Sequence, residues 1–262
     1  MRRKPRERRS SLVSVRRGIA LVFGAGVFWT AAALINLVAL CFLPFSNHPP
    51  VRRTARRILR RLFRLWMRFV AVVVGARFEL DGMRRLESLA GTVVVANHPT
   101  LMDAFYLLGL VPDAVCIFKK SLQRNLLFGP MARLCGFLAN EAGPDLVREA
   151  GAALAEGCNL VIFPEGTRSR GGLQPFKPGF ALIATRYRRP IQSVHLSCVP
   201  PLLPGRIAMR GVPATTPVVS ISLGREFLPR PGARAHTLCA SIEAYYRALS
   251  RGNPADKCAP AI

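Results

Sequence analysis

The chain has 262 residues, room for one sizeable core, and 50% of them are hydrophobic, with a mean hydropathy of +0.25; that is high for a soluble domain and points to membrane contact. Its formal net charge of +24 is lopsided, because residues 1–75 hold 16 of the 38 Lys and Arg and only Glu7 as an acid. The 7 cysteines stand singly with no C-x-x-C pair, which argues against a disulfide or zinc framework and for buried free thiols in a reducing compartment.

In chain order, residues 1–17 form a basic, polar arm that cannot bury a core and is expected to be disordered until it meets a surface. Residues 18–75 are a membrane segment plus an amphipathic interfacial helix. No charged residue occurs from Gly18 to Asn47, and Ile19–Leu43 as a helix would be about 37 Å long, enough to cross a bilayer once. A cleaved signal peptide is disfavoured because the apolar run is long and Cys41-Phe42-Leu43-Pro44-Phe45 offers no small-x-small cleavage site. Eight Lys/Arg precede the run and eight Arg follow it, so the positive-inside rule picks no orientation. A re-entrant or in-plane insertion with both flanks cytoplasmic fits as well as a span.

Over Val51–Val70, arginines 52, 53, 56, 57, 60, 61, 64 and 68 fall on one half of a helical wheel, with Ala55, Ile58, Leu59, Leu62, Leu65, Trp66 and Phe69 on the other. That is the pattern of a helix lying in the lipid headgroup layer. A solvated charged face on a core helix is the competing reading, although the arginines would repel one another at i, i+4 spacing. Nucleic acid is not expected as a partner, since the helix directly follows a membrane segment and no aromatic platform or binding motif accompanies it.

Residues 76–250 read as one α/β domain, a mixed sheet flanked by helices, followed by a tail at 251–262. Strands are expected at Arg77–Leu80, Thr92–Ala96, Ala114–Phe118, Leu160–Phe163, Ile191–Cys198, Arg206–Met209 and Val218–Leu223. Helices are expected at Leu101–Leu110, Asp145–Glu156, Gly179–Tyr187 and His236–Ser250.

Two polar turns follow apolar strands. Asn97-His98-Pro99-Thr100-Leu101-Met102-Asp103 puts an imidazole and a carboxylate where a strand ends and a helix begins, the minimum apparatus for taking a proton from a hydroxyl. Taken alone, the pair is also what a helix-start hydrogen bond looks like. Phe163-Pro164-Glu165-Gly166-Thr167-Arg168-Ser169 offers a glycine for close approach, two hydroxyls and a guanidinium fork suited to phosphate; alone it also reads as an ordinary loop. There is no P-loop and no G-x-S-x-G elbow, and no Cys/His cluster suggests a metal.

Together the two blocks, about 65 residues apart, resemble the signatures of the phospholipid/glycerol acyltransferase family, whose best-known members are the 1-acyl-glycerol-3-phosphate acyltransferases. Lys119-Lys120-Ser121-Leu122 with Gly129 and Gly136 resembles the family's intermediate block, and Pro175-Phe176-Lys177-Pro178-Gly179 the segment after the second signature. The resemblance implies that His98 is the general base on an acceptor hydroxyl and that Asp103 orients it. It implies acceptor binding by Glu165, Gly166, Thr167 and Arg168, with Arg168 the phosphate partner. Lys120 is a further acceptor-binding candidate, with surface solvation as its competing reading. The hydroxyl would attack an acyl thioester of coenzyme A or acyl carrier protein directly, so no cofactor and no covalent intermediate are needed.

The implied enzyme acylates a lysophospholipid such as 1-acyl-sn-glycerol-3-phosphate in phospholipid biosynthesis, on the cytoplasmic face of a bacterial inner membrane. Two departures open another reading. Leu138-Ala139-Asn140-Glu141-Ala142 stands where lysophosphatidate enzymes carry an Asp-Arg pair, and Pro190-Ile191-Gln192-Ser193-Val194 keeps one of two prolines. The acceptor could then be a non-phosphoglyceride lipid of a specialised pathway. From another class, a non-enzymatic basic membrane-anchored scaffold would keep the fold, but it has no use for both His98 and Asp103.

Overall fold

The computed structural model describes residues 5–141, 143–169, 172–200 and 215–252. Two helices, α1 (Pro5–Phe42) and α2 (Pro49–Val73), open the chain and are joined through a 3-10 turn at Leu43–Phe45. There follow β1 (Arg77–Asp81), α3 (Met83–Glu87), β2 (Val93–Ala96), α4 (Asp103–Leu110), β3 (Ala114–Phe118), α5 (Lys120–Gln123), α6 (Gly129–Leu134) and β4 (Leu138–Ala139). The remainder is α7 (Pro144–Ala155), β5 (Asn159–Ile162), α8 (Gly179–Tyr187), β6 (Ile191–Val199), β7 (Val218–Phe227) and α9 (Ala235–Gly252).

The strands form one mixed sheet in the order β1-β7-β6-β2-β5-β3-β4. From β6 to β4 every pairing is parallel, and β6 pairs antiparallel with β7. β2 and β5 are buried at every position, which is why both read as continuous apolar runs rather than alternating ones. Their side chains still divide by the two-residue period. Val94, Ala96 and Val161 join a core with α2 and α4 residues Met67, Val70, Tyr106 and Leu107. Val93, Val95, Leu160 and Ile162 join a second core with Leu154, Phe180, Ile183 and Ile242 from α7, α8 and α9. The sheet is therefore covered on both faces, and its function-bearing loops leave from the carboxyl ends of adjacent parallel strands.

Most strand and helix expectations hold to within a few residues, with informative exceptions. Phe163 leaves β5 instead of ending it, and β7 runs on to Phe227, past Leu223. The strand expected at Arg206–Met209 lies outside the described residues. α3, α5, α6 and β4 were not anticipated; none exceeds six residues, too short to show a helical or alternating period. Where a disordered arm was expected, the backbone is helical from Pro5. A helix already formed over the apolar run extends without a new nucleation cost, and Arg, Glu and Leu are good helix formers.

The arginine face of α2 also departs from expectation. Arg56 is 7% exposed; its Nε donates to Asp113 Oδ1 at 2.6 Å and its Nη1 to the Cys135 carbonyl at 3.0 Å. Arg60 donates to the Leu110 carbonyl at 2.8 Å and Arg64 to that of Gly109 at 2.9 Å, while Arg64 also pairs with Glu87. Half of the face thus docks on the domain, where two carbonyls left open at the end of α4 and two carboxylates offset the repulsion among the arginines. The wheel identified the polar side of α2 but not what stood opposite it. Arg57, Arg61 and Arg68 stay exposed, next to exposed Ile58, Leu65 and Val72.

α1 runs antiparallel to α2, with Phe23 near Phe69 and Phe28 near Trp66. It rides on the domain as well: Phe28 meets Phe105, Trp29 meets Phe128, and the buried Asn36 donates to the Leu127 carbonyl and accepts from the Met131 N–H. Its outer side is apolar, with Ile19, Val22, Phe23, Leu34, Leu37 and Val38 exposed.

Two stability measurements test this packing. The fully buried Tyr246 hydroxyl lies 2.8 Å from the Val95 carbonyl and accepts the Val194 N–H at 3.1 Å, stitching β2 to β6 just below the polar turn at Asn97. Tyr246→Phe is expected to cost about 1–3 kcal/mol, since it strands buried backbone groups while keeping the ring, and a lowered melting temperature would report it. Burial pushes the Cys116 and Cys135 thiols up to about 12 and the Cys158 thiol up to about 11, from the ordinary 9.0. The folded state then holds these protons more tightly than the unfolded chain. Their stabilising contribution is complete below about pH 9 and is lost as pH rises towards 11–12. Iodoacetamide at pH 7.5 should leave all three unmodified until denaturant is added, as intact mass would show.

Candidate active site

The site lies where β2 and β5 end side by side. Asn97 closes β2 with a two-point contact, its Nδ2 donating to the Leu196 carbonyl and its Oδ1 accepting the Leu196 N–H, both at 2.8 Å. That fixes the next residue. His98 Nδ1 stands 2.8 Å from Asp103 Oδ2, and its ring stacks on Phe163 with centroids 4.3 Å apart.

Asp103 is the first residue of α4 and is 2% exposed. The same carboxylate accepts the Thr100 N–H at 2.6 Å and the Thr100 hydroxyl at 2.5 Å. The N-terminus of α4 and two Thr100 donors face this carboxylate, which is the acceptor in each contact. His98 therefore donates its Nδ1–H to Asp103, which leaves the lone pair on Nε2. With its side chain 19% exposed and its partner's 3%, the imidazole can offer Nε2 to a substrate hydroxyl from a carboxylate-backed position.

The turn after β5 is tied to His98 through Glu165. The His98 N–H donates to Glu165 Oε1 at 3.0 Å and to Ser169 Oγ at 3.2 Å; Ser169 Oγ donates to Glu165 Oε1 at 2.6 Å, and the Ser169 N–H returns to the His98 carbonyl at 2.8 Å. Glu165 Oε2 accepts the Gln174 N–H at 2.8 Å. Glu165 was expected to bind the acceptor, but it is 3% exposed and both its oxygens are taken. It is the internal fastener of the turn.

Gly166 was expected to let a ligand approach the backbone; what the structure gives it is a place in the turn. It adopts φ +65° and closes the turn with its N–H on the Phe163 carbonyl, and an added Cβ would lie 3.0 Å from Lys177 Nζ. Thr167 is exposed and Arg168 half-buried, and among the described residues no carboxylate pairs with Arg168. Lys120 lies at the surface, where its ammonium pairs with Glu141. Among the described residues, no group of three or more His, Cys, Asp or Glu side chains could hold a metal.

Sequence reasoning missed Thr100, which braces Asp103 twice, and underrated Ser169. Both sit inside the signature blocks, and small hydroxyl residues beside a catalytic-type carboxylate were the available signal. A cleft of about 420 Å³ lies at the β4 end, lined by residues including Gln123, Phe137, Glu141, Asp145 and Glu149.

Comparison with known proteins finds relatives of this chain. Residues 77–197 match the protein-family model described as Acyltransferase. A 1-acyl-sn-glycerol-3-phosphate acyltransferase of Cocos nucifera is 33% identical over 138 residues, 50% of this chain and 44% of that protein. The 1-acyl-sn-glycerol-3-phosphate acyltransferase beta of Homo sapiens is 32% identical over 134 residues, 47% of each chain. The chain thus matches about half the length of these relatives. The crystal structure of the 1-acyl-sn-glycerophosphate (LPA) acyltransferase, PlsC, from Thermotoga maritima superimposes with a TM-score of 0.68 over 90% of this chain and 94% of that one, at 20% identity; the likeness is one of fold.

Proposed function

We propose, for a chain whose residues 77–197 match the acyltransferase family model, that it transfers a fatty acyl group from a thioester of coenzyme A or acyl carrier protein to the free hydroxyl of a lysophospholipid, 1-acyl-sn-glycerol-3-phosphate first among them. The observation that carries this reading is the Nδ1–Asp103 contact of 2.8 Å, which leaves His98 Nε2 as a base. Nε2 takes the hydroxyl proton as the oxygen attacks the thioester carbonyl. The C–S bond breaks, the thiolate leaves, and the imidazolium returns the proton to sulfur. The thioester is already activated, so a single displacement suffices and no acyl-enzyme is invoked.

The enzyme works at a membrane in this reading. Gly18–Phe45 is long and apolar enough to cross one. However, α1 touches the domain from Phe28 to Asn36, which favours a hairpin sunk into the cytoplasmic leaflet over a free-standing span. The exposed Arg57, Arg61 and Arg68 would meet the anionic headgroups.

A second reading, an acceptor without a phosphate monoester, is favoured by two observations: residues 138–142 carry no arginine where the lysophosphatidate enzymes have an Asp-Arg pair, and Lys120 pairs with Glu141. The purified full chain in mixed micelles, given labelled acyl-CoA or acyl carrier protein with lysophosphatidate, lysophosphatidylcholine or monoacylglycerol, tests both. Formation of phosphatidate supports the first. Transfer confined to the uncharged acceptor supports the second, and no thioester consumption with any lyso-lipid would sink the enzymatic reading altogether.

A further inference from the structure

The carboxyl ends of β2, β5, β3 and β4 lie side by side, and the loops they carry differ in charge. On the β3–β4 side the Lys120 ammonium is neutralised by Glu141, and Glu141, Asp145 and Glu149 line the neighbouring cleft. Three carboxylates there repel a phosphate rather than receive one.

The β5 side is the reverse. Lys177 returns to the Glu165–Ser169 turn, its N–H donating to the Pro164 carbonyl at 2.9 Å. Its stem then lies across the face of Gly166: an added Cβ there would meet Lys177 Cδ at 3.5 Å, Cε at 3.2 Å and Nζ at 3.0 Å. A glycine held at φ +65° is what lets the ammonium come that close to the backbone. Among the described residues no carboxylate pairs with this ammonium. Glu165, in the very turn it covers, has both oxygens committed inward to His98, Ser169 and Gln174. The Lys177 side chain is exposed, and the turn beneath it is bonded to the His98 backbone in both directions.

We infer that Lys177 is a substrate-binding residue, whose ammonium on the Gly166 turn anchors a phosphate monoester on the acceptor lipid. The inference rests on the acyltransferase reading for the word acceptor. It adds a cation, besides Arg168, to a site whose segment 138–142 lacks the expected arginine and whose Lys120 pairs with Glu141. A compact ammonium suits a dianionic monoester better than the monoanionic, choline-screened phosphodiester of lysophosphatidylcholine.

Binding of lysophosphatidate and of monoacylglycerol with the same acyl chain is measured on the full chain in micelles without any thioester, for wild type, Lys177→Met and Lys177→Arg. Methionine keeps a stem over Gly166 and removes the charge. Lys177→Met is expected to weaken lysophosphatidate binding by about 10- to 100-fold, the range of a charge-assisted hydrogen bond, and to leave monoacylglycerol binding essentially unchanged, with Lys177→Arg recovering most of the loss. Unchanged lysophosphatidate binding in Lys177→Met, or an equal fall for both lipids, overturns the anchor. Thioester consumption by wild type and His98→Ala is read separately. A charge-dependent loss at Lys177 in a protein that consumes no thioester upholds the anchor and removes the acyltransferase reading, so the two fail by different results.

Discussion

Alanine at position 98 is expected to lower kcat for acyl transfer by about 10²- to 10⁴-fold, the usual worth of a positioned general base. KM for the lyso-lipid should change little, because nothing in the geometry gives the imidazole a role in holding the acceptor in the ground state. The loss should be chemical rather than structural. The ring is part-exposed, and its removal forfeits one stacking contact with Phe163. The buried Asp103 keeps two donors from Thr100, so no unpaired charge is left in the core. The backbone bonds from His98 to Glu165 and Ser169 do not depend on the side chain. A steady-state assay paired with a thermal melt checks both halves. Full activity in a folded His98→Ala protein would remove the mechanism.

Substitutions at Asp103 should order themselves by what they leave behind. Asp103→Ala strands the Thr100 N–H and hydroxyl in a site where the carboxylate is 2% exposed, and releases His98 from its tautomer. Activity should fall by about 10²- to 10⁴-fold, together with a stability loss of about 1–3 kcal/mol for each stranded donor. Asp103→Asn should be milder on both counts. The Oδ2 position receives the Thr100 N–H at 2.6 Å and the His98 Nδ1–H at 2.8 Å, so an amide must keep its oxygen there. Its NH2 turns to the Thr100 hydroxyl, which can rotate to accept. The tautomer survives, and what is lost is the negative charge that stabilises the imidazolium as the proton arrives. The expected ranking in kcat is wild type, then Asn, then Ala, with the melting temperature in the same order. An asparagine variant as inactive as alanine but as stable as wild type would show that charge, not tautomer control, is what Asp103 supplies.

The parts of the fold and site that were legible in the sequence are those that depend on local pattern. β2 and β5 announced themselves as apolar runs because they are covered on both faces, and the polar turns after them stood out by contrast. Glu165, Arg56 and Lys120 were harder because each side chain's role depends on a partner distant in sequence. The donors to Glu165 come from His98 and Gln174 as well as from its own turn, the partner of Arg56 is Asp113, and that of Lys120 is Glu141. A charged side chain in a motif looks the same in the sequence whether it points at a ligand or at another loop. Polar composition pointed to disorder at residues 5–17, where a neighbouring helix supplied the nucleus that the arm alone lacks.

α4 is eight residues long, a rod of about 12 Å, and it is gripped at both ends. Asp103 begins it, while Arg60 and Arg64 of α2 hold the carbonyls of Leu110 and Gly109 at its far end. Gly109 lets the backbones approach so closely that an added Cβ would sit 3.3 Å from the Arg64 nitrogen. The helix that aims the imidazole's partner is thus bolted to α2, with no flexible joint between them. If the hairpin seats in lipid as proposed, the depth at which it settles is by this linkage also the height at which the proposed base would meet its substrate.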